Sequence, residues 1–224
     1  MKLTKSIAMS LAASALSATT AFADGHAGGH GYYIQGSLGF SQLQDTDQSG
    51  APGNVASDYN SGYNISVAVG KKIPAWSGFR AELELSYSEN DADTIDFSGN
   101  GAGNEANVDG DISSTSIYAN ILYDIKTGSK ITPYVGAGVG VSFIDSSIAY
   151  GGAPVRIDDD DTAISAQLIA GAAYKISDTL DLTLDARYSR AFSVELSRVS
   201  LGGTAIVEDD FDNLSLNLGL RFAF

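Results

Sequence analysis

The 224-residue chain has no cysteine, so disulfides, thiolate nucleophiles and thiolate metal ligands are all closed to it. It has two histidines, His26 and His30, both in a Gly-rich stretch near the start. Serine–histidine hydrolysis and histidine-dependent proteolysis need an imidazole held beside the reacting group. Neither histidine falls in a strand-like segment, so no enzyme of these kinds, no catalytic residue and no cofactor is expected. Basic residues are scarce too: 13 Lys and Arg stand against 27 Asp and Glu, a formal net charge of −14. A nucleic-acid partner is therefore not expected. Beyond residue 23 no apolar run approaches the roughly 18 residues that a membrane-spanning helix requires. Twenty-five glycines and a mean hydropathy of +0.01 describe a chain whose apolar positions are diluted by small and polar ones.

What is present begins with an address. Lys2 and Lys5 precede a short apolar core at residues 7–16, and Ala21-Phe22-Ala23 gives a small-x-small pattern before Asp24. This predicts a secretory signal peptide over residues 1–23, whose removal leaves about 200 residues, enough for one domain. Losing Lys2 and Lys5 makes the charge roughly −16. Residues 24–31 (DGHAGGHG) read as a flexible lead-in rather than a metal site. The domain proper is residues 32–224.

The last segment sets the pattern for the rest. In DNLSLNLGLRFAF, Leu214, Leu216, Leu218, Leu220, Phe222 and Phe224 share one parity, and Ser215, Asn217, Gly219, Arg221 and Ala223 the other. A strand sends successive side chains to opposite faces, so this one is apolar on one side and polar on the other. Seven earlier segments alternate alike, at about residues 32–42, 63–72, 79–88, 115–126, 131–144, 162–176 and 180–189. The expected fold class is all-β: an eight-stranded antiparallel up-and-down transmembrane β-barrel, apolar face outward. A soluble lipocalin-type barrel would need a charged outer face. Here the polar parity is mostly Ser, Gly, Asn and Ala, suited to a crowded interior.

The connections alternate in length. Those after the second, fourth and sixth strands are short; those at about 43–62, 89–114, 145–161 and 192–212 are long and polar, as transmembrane barrels show. Aromatics of the outward parity then fall at two heights. Tyr32, Phe79, Tyr123, Tyr174, Phe222 and Phe224 lie near the short-turn rim; Phe40, Tyr63, Tyr87, Phe143 and Tyr188 lie near the other. Eight residues separate Tyr32 from Phe40, roughly 26 Å along a strand and roughly 20 Å along the membrane normal once tilted. Two such belts match two bilayer interfaces.

Eight strands leave an interior about filled by side chains. Arg80, Glu82, Glu84, Asp124, Lys126, Asp181, Asp185, Arg187 and Arg221 lie on the polar parity and supply both signs. Buried charges must pair, so these nine residues form a candidate lumen network. A static plug is preferred to a gate that re-pairs; Gly136, Gly138 and Gly140, by leaving room, keep the gate open as a reading. The long connections are acidic, with Asp158 to Asp161 a run of four, and Asp91, Asp93, Asp96, Glu208, Asp209 and Asp210 beside them. Asp45-x-Asp47-x-Ser49-Gly50 and Glu105-x-Asn107-x-Asp109-Gly110 partly fit a calcium loop, but Ala56 and Ser116 stand where the twelfth-position Glu belongs. Solvated loops are the reading preferred, and no metal site is assigned. Divalent cations bridging these carboxylates to lipopolysaccharide phosphates are the competing one.

A closing strand that ends on Phe224 resembles the C-terminal strand of bacterial outer-membrane barrels, where it is the insertion signal read by the barrel-assembly machinery. Phe79-Arg80-Ala81-Glu82-Leu83-Glu84, Pro133-Tyr134-Val135-Gly136-Ala137-Gly138-Val139-Gly140, Gly171-Ala172-Ala173-Tyr174-Lys175-Ile176-Ser177, Ala186-Arg187-Tyr188 and Arg221-Phe222-Ala223-Phe224 together resemble the opacity and surface-antigen (porin-like) family. These motifs speak for architecture and little for activity. The resemblance implies a Gram-negative outer-membrane location reached by Sec export, contact with lipid and lipopolysaccharide, and a non-enzymatic role in envelope integrity, adhesion or antigenicity. The surface ligand stays unnamed. The alternative is a narrow porin for small solutes.

Overall fold

A computed structural model of the chain describes residues 31–44, 46–48, 55–96, 104–105, 108–150, 156–200 and 203–224. The expected signal peptide and both histidines lie outside them. Eight long strands carry the fold: β1 (Tyr32–Leu43), β2 (Gly62–Lys72), β3 (Phe79–Asp96), β4 (Val108–Asp124), β5 (Ile131–Tyr150), β6 (Arg156–Lys175), β7 (Leu180–Ser200) and β8 (Gly203–Ala223). Each pairs antiparallel with the next, and β1 pairs with β8 from Tyr33 opposite Ala223 to Leu43 opposite Asn213. That last pairing closes the barrel, as the alternation predicted. No strand edge is left between Tyr33 and Leu43 along β1 and β8, the stretch that faces lipid, which satisfies the backbone where no water can reach it. Three short strands, Thr46–Gln48, Val55–Tyr59 and Asn104–Glu105, continue the wall beside the far end of β3. No helix occurs among the described residues.

The two parities separate as the alternation demands. On β8, Leu214, Leu216, Leu218 and Leu220 are each 46–53 % exposed, while Ser215, Asn217, Gly219 and Arg221 are buried. Leu38, Leu83, Val139, Ile164 and Leu168 exceed 60 % exposure on other strands. So much outward apolar surface is stable only when an apolar solvent covers it.

Strand length differs from expectation. The strands opposite the short turns run on to Asp96, Tyr150 and Ser200, and the next ones begin at Val108, Arg156 and Gly203. Asp91, Asp93 and Asp96 are therefore in β3, Asp158–Asp161 in β6 and Glu208–Asp210 in β8, not in loops. The physical reason is a reversal of phase. On β5 the outward side chains are apolar from Val135 to Phe143 and become Asp145 and Ser147; the inward ones change from Gly140 and Ser142 to Ile144 and Ile148. Leu43, Ile112, Ile144, Ile148, Ala163, Ala191, Val194, Leu196 and Phe211 form an inward apolar core at this end. Alternation continues there with water outside instead of lipid, so the loss of outward apolar residues marks the end of the membrane, not of the strand.

The ladder between β6 and β7 is interrupted near that core. β6 and β7 are paired from Lys175–Asp181 to Ser165–Ala191, and again only from Ile157–Arg198. Ser193, at φ 50°, lies within the bulge that β7 makes against β8. Carboxylates take over the missing ladder: Asp161 accepts from the N–H of Glu195 and Asp159 from that of Ser197, both at 2.8 Å, and Asp210 accepts from Ser193 at 2.9 Å. The N–H of Ser197 holds Asp159 below the usual carboxylate range.

Candidate functional site

The inward parity of β3 places Arg80, Glu82 and Glu84 in a row, all nearly inaccessible to solvent. Arg80 contacts Glu82 through Nη1 and Asp124 on β4 through Nε at 3.0 Å. Its guanidinium lies between two rings, 5.4 Å from the centroid of Tyr33 on β1 and 4.8 Å from that of Tyr134 on β5. Tyr33 donates its hydroxyl to Glu82 at 2.6 Å and accepts from Arg80 at 2.7 Å. Tyr134 donates to Asp185 on β7 at 2.8 Å. Arg187 crosses the barrel to Glu84 and holds Asp185 through Nε at 2.7 Å. Asn120 and Gln167 donate to the other oxygen of Glu84 at 2.7 and 3.1 Å. Nearest the short-turn rim, Arg221 pairs with Asp181 at 2.9 Å.

Eight of the nine residues expected in the lumen are therefore brought into three linked sets of ion pairs. Lys126 is not. It is exposed at the rim, past the end of β4, and donates to Ser77 at 2.7 Å. Beyond Asp124 the chain has left the ladder, so inward parity no longer has a lumen to point into. The room left by glycine is also taken: a Cβ at Gly136, Gly138 or Gly140 would collide with Leu122, Asn120 or Tyr118 of β4. These glycines seat the neighbouring strand's side chains and do not open a path.

Sequence reasoning missed the hydrogen-bonding partners Tyr33, Tyr134, Asn120, Gln167 and Asn217. The signal was available, since Tyr33 and Tyr134 are aromatics on the polar parity. Above the charges lies a layer of hydroxyls, with Ser116 bonded to Ser142 at 2.7 Å and Ser142 to Ser165 at 2.9 Å. A cavity of about 60 Å³ sits there, lined by Ser86, Ser88, Ser116, Ser142 and Ser215, with Ile144 and Phe211 of the apolar core above. It has room for a few waters. The calcium-like stretches lie partly in extended chain, at Thr46–Gln48, Asn104–Glu105 and the first residues of β4, partly outside the described residues.

All eleven belt aromatics belong to the outward parity. Tyr32 stacks on Phe224 with ring centroids 6.4 Å apart, Phe79 meets Tyr123 at 4.9 Å, and Tyr63 meets Tyr87 at 6.0 Å. Trp76, not assigned from sequence, packs edge-on against Phe79 at 6.0 Å. Phe222 is half-buried on the same face.

The family model described as "Outer membrane protein beta-barrel domain" matches residues 8–222. The chain belongs to that family. As a member, it is an outer-membrane β-barrel, a class in which the short turns face the periplasm. Among solved structures, OprG from Pseudomonas aeruginosa is similar with a TM-score of 0.60 at 16 % identity, over 88 % of this chain and 98 % of that one. Neisserial surface protein A matches at 0.54 and 21 %, over 88 % and 99 %. A major outer membrane protein of Thermus thermophilus matches at 0.54 and 16 %, over 87 % and 100 %. Identities this low speak for the fold alone. No curated protein matches the chain in sequence.

Proposed function

We propose that this outer-membrane barrel is a non-enzymatic structural and surface-interaction protein, secreted on a signal peptide and acting in envelope integrity, adhesion or as a surface antigen. The observation that carries this reading is the lumen. Arg80, Glu84 and Asp185 are each 1 % exposed and held by partners from several strands, and an inward apolar core lies above them. Opening a path would separate buried ion pairs, which costs several kcal/mol for each charge left alone, on the order of 3–5. The working surface is then the outer end, where strand extensions carry Asp145, Asp160 and Glu195 toward lipopolysaccharide, with divalent cations as bridges, or toward a ligand on another cell. Assembly would use the closing strand, with Phe224 as the signal that the barrel-assembly machinery reads and the two aromatic belts setting the depth in the bilayer.

A second reading, a narrow porin for small solutes, is favoured by the serine-lined cavity beneath the apolar core. Single-channel recording of the folded protein in a planar bilayer separates the two. A folded, electrically silent barrel is expected. Discrete and reproducible openings would overturn the plug and make Arg80, Glu82 and Arg187 the residues to test as a gate.

A further inference from the structure

All five lysines beyond residue 30 lie at one end of the barrel. Lys71 and Lys72 end β2, Lys126 and Lys130 flank the turn after β4, and Lys175 ends β6; all five are exposed. The acidic residues described at this rim are already engaged: Asp124 with Arg80, Asp181 with Arg221, and Asp178 with Lys175 at 2.7 Å. Lys71, Lys72, Lys126 and Lys130 have no carboxylate partner among the described residues. The far end has the opposite sign, with Asp145, Asp159, Asp160, Asp161, Glu195 and Asp210.

The lysines adjoin outward apolar residues at this end of the wall, Val69, Ile125, Ile131 and Tyr174. Lys71 Nζ lies 4.3 Å from the ring centroid of Tyr32 and donates to its hydroxyl at 2.8 Å. Lys126 reaches Ser77 in the turn that carries Trp76. That level is the headgroup layer of the leaflet on the periplasmic side. A rim of ammoniums without carboxylate partners attracts phosphodiester groups of net negative charge and gains less from zwitterionic ones, whose own ammonium competes.

We propose that the periplasmic rim is a collar that gathers anionic phospholipid headgroups from the inner leaflet, with Lys72, Lys126 and Lys130 as the ammoniums that receive the phosphate oxygens. The collar rests on the outer-membrane placement and is independent of whether the lumen conducts.

Trp76 is the only tryptophan and lies among these lysines, so its fluorescence reports on this rim alone. The folded protein is reconstituted into phosphatidylcholine vesicles that contain, at equal mole fraction, either phosphatidylglycerol or phosphatidylcholine with brominated chains. Trp76 should be quenched more strongly by the brominated anionic lipid, by about threefold in apparent local concentration, and the excess should vanish near ~0.5 M salt. K72Q/K126Q/K130Q should abolish the excess and K72R/K126R/K130R should keep it, with heat-modifiable gel migration showing that each is folded. Equal quenching by the two lipids in the unaltered protein overturns the proposal, as does an excess that survives high salt or the glutamine variant. The salt series on the unaltered protein decides the matter even if the variants do not fold.

Discussion

Arg80 is 1 % exposed, contacts two carboxylates, lies between two tyrosine rings and donates to the Tyr33 hydroxyl because Tyr33 turns inward. Replacing it with glutamine leaves Glu82 and Asp124 buried without a cation, which should destabilise the barrel by about 3–5 kcal/mol in urea titrations of the folded form. If the network were a gate, the same variant would stay folded and conduct. Lysine at this position keeps the charge but loses the fork and the stacking, so it should recover only part of the loss. Gly70 is the matching backbone position: a Cβ there would lie 2.1 Å from the Tyr33 ring. Gly70→Ala must displace that ring from Glu82 and Arg80, with an expected cost of about 1–3 kcal/mol in the same titration. The charged members of this set were legible as inward-parity residues of both signs. Their pairing was not, because Arg187 and Glu84 are 103 positions apart and only closure of the wall brings them together.

At the scale of the element, β6 and β7 show how acidic residues can serve as part of the wall. Asp159 and Asp161 accept the N–H groups that the interrupted ladder leaves on Ser197 and Glu195. The Asp159→Ala/Asp161→Ala variant should therefore speed hydrogen exchange at these two amides by about fivefold or more, with little change at Leu184 in the intact ladder. The pH dependence has a definite sign. A carboxyl whose folded pKa is depressed adds stability that is present above its unfolded value of 3.8 and is lost as pH falls through the lower folded one. Protection at Ser197 should therefore persist at about pH 5–7 and fall only in strong acid. From the sequence, Asp158–Asp161 looked like a solvated loop, because a run of four carboxylates breaks every apolar pattern. A ladder above the membrane asks nothing of its outward side chains except that water accept them.

The whole molecule is a barrel with two solvents outside it. Its lower part is apolar outward and charged inward; its upper part is the reverse, and the boundary runs close to Phe40, Tyr63, Tyr87, Phe143 and Tyr188. Closure depends on β1 and β8, where the Phe224 N–H donates to the Tyr32 carbonyl at 3.0 Å and the two rings stack. Phe224→Ala removes that stack and the terminal aromatic together. It should lower the yield of heat-modifiable, membrane-inserted protein in cells severalfold while leaving the stability of barrel that has already folded within about 1 kcal/mol. A normal yield of inserted protein would remove Phe224 from the assembly step.

Period-two alternation with apolar residues on one parity was enough to determine the all-β class, the number of long strands, their order and which face meets lipid. Each of these is a local property of strand geometry, in which neighbouring side chains must point to opposite sides. The tertiary structure alone decided where the strands end, which charges pair, that Lys126 stands outside the lumen, and that the glycines of β5 seat Leu122, Asn120 and Tyr118. Those features depend on what lies across the barrel or beyond the membrane surface, and residues far apart in the chain acquire that environment only when β8 closes against β1.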